Sequence, residues 1–280
     1  MEFWQNIYTS FDIIAFELFG FKIYWYSLCY VFALLFALFL AKYYIKKDKI
    51  NILKKELDSY FIWVELGVII GARLGYIIIY DDNTLWYIIH PWQIFNPFDM
   101  NNNFVGIRGM SFHGAAFGAF VATLIFCIRF KKEFIKNLLK YLDLVALSVP
   151  LAYTFGRIGN FLNQELFGRI TNMPWGILVN NQLRHPSQLY EAFLEGFVLF
   201  LIIHFKRKNK IFNGELILFY AMFYSLARFI CEFFREPDAN LGFLIFDLSM
   251  GQLLSIFMFG VTFLSYIYFL LQNKQIKNYK

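Results

Sequence analysis

Charge is scarce in this chain. Only 16% of its 280 residues are Asp, Glu, Lys or Arg, while 59% are hydrophobic, a balance that excludes an ordinary soluble domain and fits a polytopic membrane protein. Cysteine is nearly absent. Cys29, Cys127 and Cys231 fall inside apolar runs without CxxC or ligand spacing, which excludes a disulfide framework and leaves them as small buried residues. The four histidines, His90, His113, His185 and His204, are scattered and no HExxH occurs, so no metal is expected. No Walker loop and no glycine-rich turn after a strand is present, and no cofactor is expected. Internal repeats and low-complexity tracts are also missing. The N-terminus lacks a basic n-region and no small-residue cleavage site follows the first long apolar run, so that run is expected to remain as a helix. The net charge of +6 reads as topology signalling rather than as a nucleic-acid footprint.

What the chain does have is apolar runs. Seven are long enough to cross a hydrocarbon core that needs about 20 helical residues: 23–44, 61–80, 110–128, 138–158, 186–205, 215–234 and 245–271. The sequence therefore predicts an all-α protein of seven transmembrane helices, one integral-membrane domain over 1–280. Basic clusters follow the first span (Lys42, Lys46, Lys47, Lys49, Lys54, Lys55), the third (Arg129, Lys131, Lys132, Lys136, Lys140), the fifth (Lys206, Arg207, Lys208, Lys210) and the last (Lys274, Lys277, Lys280). By the positive-inside rule the N-terminus lies outside and the C-terminus in the cytoplasm.

The basic residues left on the outer side are Lys22, Arg73, Arg108, Arg157, Arg169, Arg184, Arg228 and Arg235. All but one are arginine, whereas the cytoplasmic loops are nearly all lysine. Lysine suffices as a solvated topology charge; the guanidinium fork is favoured where phosphate or carboxylate is held at two points. Two long connections, 81–109 and 163–185, lie on this arginine side, the expected position of two outside arms.

Several polar groups sit at the same outer level. Tyr224, Arg228, Glu232 and Arg235 are spaced by four, four and three residues, one helical face on which Arg228 and Glu232 can pair. A purely structural ion pair is the competing reading. His113 opens the third span among the small residues Gly114, Ala115, Ala116 and Gly118, and Tyr26 opens the first; interfacial hydrogen bonding and an aromatic belt are the plainer roles for these two. Gly67, Gly71 and Gly75 recur every four residues along the second span and Gly114 and Gly118 start the third, a pattern that permits tight helix packing.

The most unusual stretch is Gly156-Arg157-Ile158-Gly159-Asn160-Phe161-Leu162-Asn163-Gln164-Glu165-Leu166-Phe167-Gly168, which places charge and amide groups at the end of an apolar span. It resembles the signature of the prolipoprotein diacylglyceryl transferases. Trp25-Tyr26, Gly71 to Tyr76, Met110 to Gly118, His185 to Glu191 and Tyr224 to Asp238 extend the resemblance over essentially the whole chain. It implies a bacterial inner-membrane enzyme, with its site toward the outer face, that moves the diacylglyceryl group of phosphatidylglycerol to the lipobox cysteine of preprolipoproteins. It implies lipid binding by Arg157 and an essential role for Arg228, and it places Tyr26, His113, Asn160, Glu165, Gly168, Tyr224 and Glu232 on functional positions. Where the family commonly has His-Gly-Gly, this chain has His113-Gly114-Ala115, an added methyl that bears on local packing.

The chemistry of such a displacement asks for cations that hold the phosphate and a group that accepts the thiol proton. Arg157 and Arg228, with Arg73 and Arg235, answer the first need. His113 is the first candidate for the second, because an imidazole titrates near neutral pH, with Glu232 or Glu165 as alternatives. The expected catalytic set is thus His113, Arg228, Glu232, Tyr26 and Tyr224, and the substrate-binding set Arg157, Asn160, Glu165, Gly168, Arg73 and Arg235. The expected partners are phosphatidylglycerol, lipobox-bearing preprolipoproteins and the bilayer, without nucleic acid. A transporter would instead place polar groups through the full depth, often in repeated halves, and a non-catalytic lipid scaffold would bind phosphatidylglycerol without consuming it.

Overall fold

In a computed structural model, which describes residues 2–81, 83–98, 106, 109–237, 242 and 244–278, helices dominate. The long ones follow the order read from the sequence: α1 (Trp25–Lys47), α2 (Lys54–Tyr80), α3 (Phe112–Phe130), α4 (Phe134–Leu162), the composite α5, α6 (Glu215–Cys231) and α7 (Met250–Asn278). In α5 the α-helical turns Ser187–Glu191 and Leu199–Lys206 flank seven residues, Ala192–Val198, wound as a π-helix. Six helices among the described residues are long and apolar enough to cross a membrane. Side chains such as Phe257, Leu264 and Tyr268 of α7 stand exposed, an exterior suited to lipid rather than water. The chain is a multi-pass membrane protein.

α6 is shorter than its apolar run, 17 residues. It stops at Cys231 because the Phe233 and Phe234 N–H groups turn back to the carbonyls of Ile230 and Cys231, tightening the last turn, and Arg235 then pairs as a β-bridge with Gly168. α7 starts at Met250 rather than 245, where Ser249 and Gln252 cap each other. The Gln252 N–H donates to Ser249 Oγ (3.2 Å) and the Ser249 N–H to Gln252 Oε1 (2.9 Å), a reciprocal Ser-x-x-Gln cap. Two small antiparallel hairpins add to the all-α reading: β1 (Ile14–Leu18) with β2 (Phe21–Tyr24), and β3 (Ile177–Val179) with β4 (Gln182–Arg184).

The chain divides into two compact units, Met1–Lys49 with Leu142–Lys280, and Ile50–Tyr141. In the second unit α2 and α3 meet along the glycine seam read from the sequence. A Cβ on Gly67 would stand 2.6 Å from Ala122 Cβ, and one on Gly75 2.6 Å from Gly114 Cα, so these positions admit no side chain. Ala115 is half-buried, beside Gly114 and Gly118, which stand against Gly71 and Gly67 of α2.

In the first unit a single buried carboxylate sets the register of α4 and α6. Asp143 of α4 accepts the N–H of Gly214 at Oδ2 (2.8 Å) and those of Leu216 and Ile217 at Oδ1 (3.0 and 3.1 Å), and Lys210 Nζ lies 3.2 Å away. These are the orphan donors of the α6 N-terminus, satisfied from another helix. At the far end of α4, Phe161 packs with Ile177 and Val179 of β3 under Trp4, Ile7, Tyr8 and Phe167. The N-terminal segment thereby covers the signature loop: Trp4 Nε1 donates to Trp175 O (2.8 Å) and Gln164 Nε2 to Tyr8 O (3.1 Å).

Candidate active site

Arg157 and Arg228 each stand 14 residues along their helices from the Asp143–Gly214 cap, about 21 Å at 1.5 Å per residue. The two guanidiniums therefore arrive at one level. There they meet α5, whose apolar span carries Glu191 and Glu195, both buried completely. Arg157 Nε lies 2.9 Å from Glu191 Oε2, Arg228 Nη1 3.5 Å from the same oxygen, and Arg235 Nη1 3.6 Å from Glu191 Oε1. Three arginines converge on this carboxylate, yet among the described residues neither of its oxygens has a partner in hydrogen-bond geometry.

The other carboxylates are held more firmly. Arg228 pairs through Nη2 with Glu232 Oε1, the i,i+4 contact read from the sequence, and through Nη1 with Glu195 Oε1 at 3.4 Å. Glu232 Oε2 accepts the Ser249 hydroxyl at 2.6 Å, which ties the end of α6 to the α7 cap. Arg235 Nε stands 3.8 Å from Glu232 Oε1. Three arginines thus face three buried carboxylates. Ion groups of this kind bring a large desolvation penalty, and apolar packing of similar volume is commonly as stable or more so.

The signature loop continues the network. Arg157 Nη1 donates to Asn160 Oδ1 (3.4 Å), and Asn160 Nδ2 to Glu165 Oε1 (2.7 Å). Gln164 (φ 54) and Leu166 (φ 57) turn through the left-handed region, and Gln188 Nε2 holds the Glu165 carbonyl. Gly168 acts through what it lacks: a Cβ there would lie 2.6 Å from the His185 carbonyl oxygen and would also strike that of Phe234. Three backbone segments cross at this point, Gly168 N–H donating to His185 O (2.9 Å) and Arg169 N–H to Phe234 O (2.8 Å). The Arg169 side chain holds the carbonyls of Arg235 (2.8 Å) and Glu232 (3.0 Å). These bonds fix the turn that carries Glu232 and Arg235. A cleft of about 350 Å³ opens here, lined by Phe167, Asn180, Arg184, Arg235 and Glu236, so Arg235 belongs to both the network and the cleft wall. His185, just ahead of α5, is held below the ordinary imidazole range by burial, with Nδ1 3.1 Å from the Tyr190 hydroxyl.

The structure gathers Arg157, Asn160, Glu165, Arg228, Glu232 and Arg235 into one network. Tyr224 reaches it through an edge-on contact with Tyr153 at 6.3 Å between centroids. Tyr26 flanks the signature helix, since a Cβ on Gly159 would stand 3.4 Å from its ring and 2.9 Å from Cys29 Cβ. His113 and Arg73 belong to the Ile50–Tyr141 unit. His113 is exposed in the first turn of α3, beside a Ser111 cap that accepts the Gly114 N–H at 3.2 Å. Arg73 is buried and donates to Ile94 O (2.5 Å), Gly109 O (3.3 Å) and Tyr87 OH (3.3 Å), so it ties down the arm that follows α2. Arg108 and most of 99–108 lie outside the described residues. The sequence reading passed over Glu191, Glu195 and Tyr153. Their signals were present: two carboxylates four apart inside an apolar span, and a tyrosine one turn ahead of Arg157.

Buried arginines and carboxylates thus converge at one level of an apolar helical unit. The chain belongs to the prolipoprotein diacylglyceryl transferase family, whose model matches residues 13–268. It is similar to the phosphatidylglycerol--prolipoprotein diacylglyceryl transferase of Campylobacter jejuni, 64% identical over 267 residues, which are 95% of this chain and 97% of the relative. It is 65% identical over 259 residues to that of Campylobacter lari (92% and 94%), and 60% identical over 277 residues to that of Campylobacter curvus (99% and 100%).

Proposed function

We propose that this chain transfers the diacylglyceryl group of phosphatidylglycerol to the thiol of a lipobox cysteine in a preprolipoprotein. The cysteine sulfur attacks the glyceryl carbon that bears the phosphate ester, the carbon–oxygen bond breaks, and its electron pair leaves on glycerol-1-phosphate. A thioether results, and the thiol proton passes to a base. The observation that carries the reading is the convergence of Arg157, Arg228 and Arg235 within 3.6 Å of one carboxylate, in a chain of this family. Convergent guanidiniums suit a phosphate whose charge grows as its ester departs.

In this reading Arg157 and Arg228 hold the phosphate, and Arg73, Arg235, Asn160 and Glu165 belong to the substrate site. Gly168 serves it by admitting the backbone crossing that sets Arg235. Glu232 fixes Arg228, Tyr26 and Tyr224 wall the site, and His113 takes the thiol proton, with Glu232 or Glu165 next in line. α1 to α7 form one seven-span domain in the bacterial inner membrane, N-terminus outside and site toward the outer face. Mass spectrometry of a lipobox peptide incubated with purified protein and phosphatidylglycerol tests the function. A diacylglyceryl mass increment on cysteine is expected; binding of the lipid without that increment would return the chain to a scaffold role.

A further inference from the structure

Between the two phosphate-directed arginines runs a continuous chain of contacts formed by residues that the proposed chemistry leaves unused. Arg157 Nε donates to the Tyr153 hydroxyl at 2.6 Å. That hydroxyl donates in turn to Glu195 Oε2 at 2.5 Å. The other oxygen of the carboxylate, Oε1, lies 3.4 Å from Arg228 Nη1. Glu195 is completely buried, so water does not compete for either oxygen. Arg228 thus meets the carboxylate directly and Arg157 meets it through the Tyr153 hydroxyl.

Local backbone geometry places that carboxylate. Glu195 lies within the π-helical stretch Ala192–Val198, and π-helical widenings of an α-helix are frequent at functional sites. Next to it Gly196 lets α4 come close: a Cβ at Gly196 would stand 3.1 Å from Thr154 Cα, the residue beside Tyr153. The Thr154 hydroxyl donates to the Ala192 carbonyl at 3.3 Å and helps tie α4 to the widened turn. An aliphatic residue at 195 would let the same helices pack without a buried charge, which is the less costly arrangement in hydrocarbon.

We infer that Tyr153 and Glu195 form a positioning relay that fixes the separation and orientation of the Arg157 and Arg228 guanidiniums. The inference rests on the proposed transfer reaction, in which both arginines act on one phosphate. Neither relay residue touches the phosphate; their effect passes through the arginines. Two cations held at a set spacing match the developing charge without reorganising as it grows, and a misplacement of about 1 Å is enough to cost about 100-fold in rate.

The test uses the full chain in lipid nanodiscs, as wild type, Tyr153→Phe, Glu195→Gln and the double variant. Tyr153→Phe removes one hydroxyl and no charge, so it remains informative if Glu195→Gln fails to fold. kcat and KM for phosphatidylglycerol are measured with a lipobox peptide, and apparent melting temperature is followed in parallel. Tyr153→Phe is expected to lower kcat by about 10- to 100-fold with a smaller change in KM while the protein stays folded at the assay temperature, a split that a purely structural role would not produce. Glu195→Gln should do the same, and the double variant should be no worse than the more impaired single one, because both break one relay. Wild-type kcat in Tyr153→Phe, or losses that multiply in the double variant, would overturn the relay. A wild-type chain that binds phosphatidylglycerol without transfer would sink the transferase reading instead. The relay would then be judged on lipid affinity across the same four proteins, where non-multiplying losses support it and independent or absent losses overturn it.

Discussion

Replacing Arg157 by lysine separates charge from geometry at the centre of the network. The native side chain donates from Nε to Tyr153 (2.6 Å) and from Nη1 to Asn160 (3.4 Å), and its Nε stands 2.9 Å from Glu191. A single ammonium keeps the charge but lacks the planar fork, so it cannot reach the hydroxyl, the amide and an incoming phosphate together. Losing a hydrogen bond to a charged group costs about 1.5 to 3 kcal/mol, and losing a donor aimed at growing charge in the transition state about 2.7 to 4 kcal/mol. These describe overlapping parts of one loss, so a transition-state penalty of about 2 to 4 kcal/mol is expected, roughly 30- to 1,000-fold in turnover. Arg207 supplies the control. It is equally cationic, pairs with Asp48 and lies over the Tyr44 ring at 5.3 Å, touching nothing in the network, so Arg207→Lys should leave turnover near the wild-type level. Each protein is checked for membrane insertion and thermal stability, and diacylglyceryl transfer to a lipobox peptide is then followed by mass spectrometry. A stable Arg157→Lys protein with near-wild-type transfer would refute two-point phosphate binding.

His113 is exposed in the first turn of α3, so His113→Gln should fold and bind lipid normally while turnover falls about 100-fold or more; retained turnover would move the proton to Glu232. Gly168→Ala forces a methyl against the His185 and Phe234 carbonyls, and overpacking of that kind costs about 1 to 3 kcal/mol. Its melting temperature and transfer rate should drop together, and an unchanged melting temperature would contradict the tight crossing. Cysteine placed at Asn172 should react with an impermeant thiol reagent on intact cells, while cysteine at Lys47, Lys132 or Lys208 should not; the reverse pattern would invert the proposed orientation.

The helices were legible because a long apolar run has one reading. The Arg228–Glu232 pair was legible because both partners lie on one helix, where a spacing of four fixes their contact. Partners on different helices have no such rule. Asp143 caps a helix 71 residues further on, and in the sequence it is a single acid in an apolar span with no indicated partner. Glu195 showed as a second carboxylate in an apolar span, but its partners on other helices did not, and the π-turn that aims it leaves no pattern in composition. Ser249 and Gln252 show a cap signature, but the apolar Leu244-Ile245-Phe246 before them drew the predicted start of α7 forward. The hairpin β1–β2 turns at Phe19 and Gly20, both at positive φ, and the aromatic residues beside that glycine disguise the turn.

The shared cap at Asp143 makes α4 and α6 a ruler. Equal counts from one origin hold Arg157 and Arg228 level, and one inserted residue in either helix would lift its arginine by about 1.5 Å and swing it through roughly 100°. The ruler also has an absolute length, about 21 Å, against a hydrocarbon core about 30 Å thick. On the proposed orientation, with the Lys210 end of α6 at one face of that core, a headgroup from the opposite face would meet the arginines by sinking, or where the bilayer thins around the protein. In the proposed reaction membrane thickness then becomes a variable in its own right: the acyl tails, remote from every bond that changes, would set how far the phosphate descends.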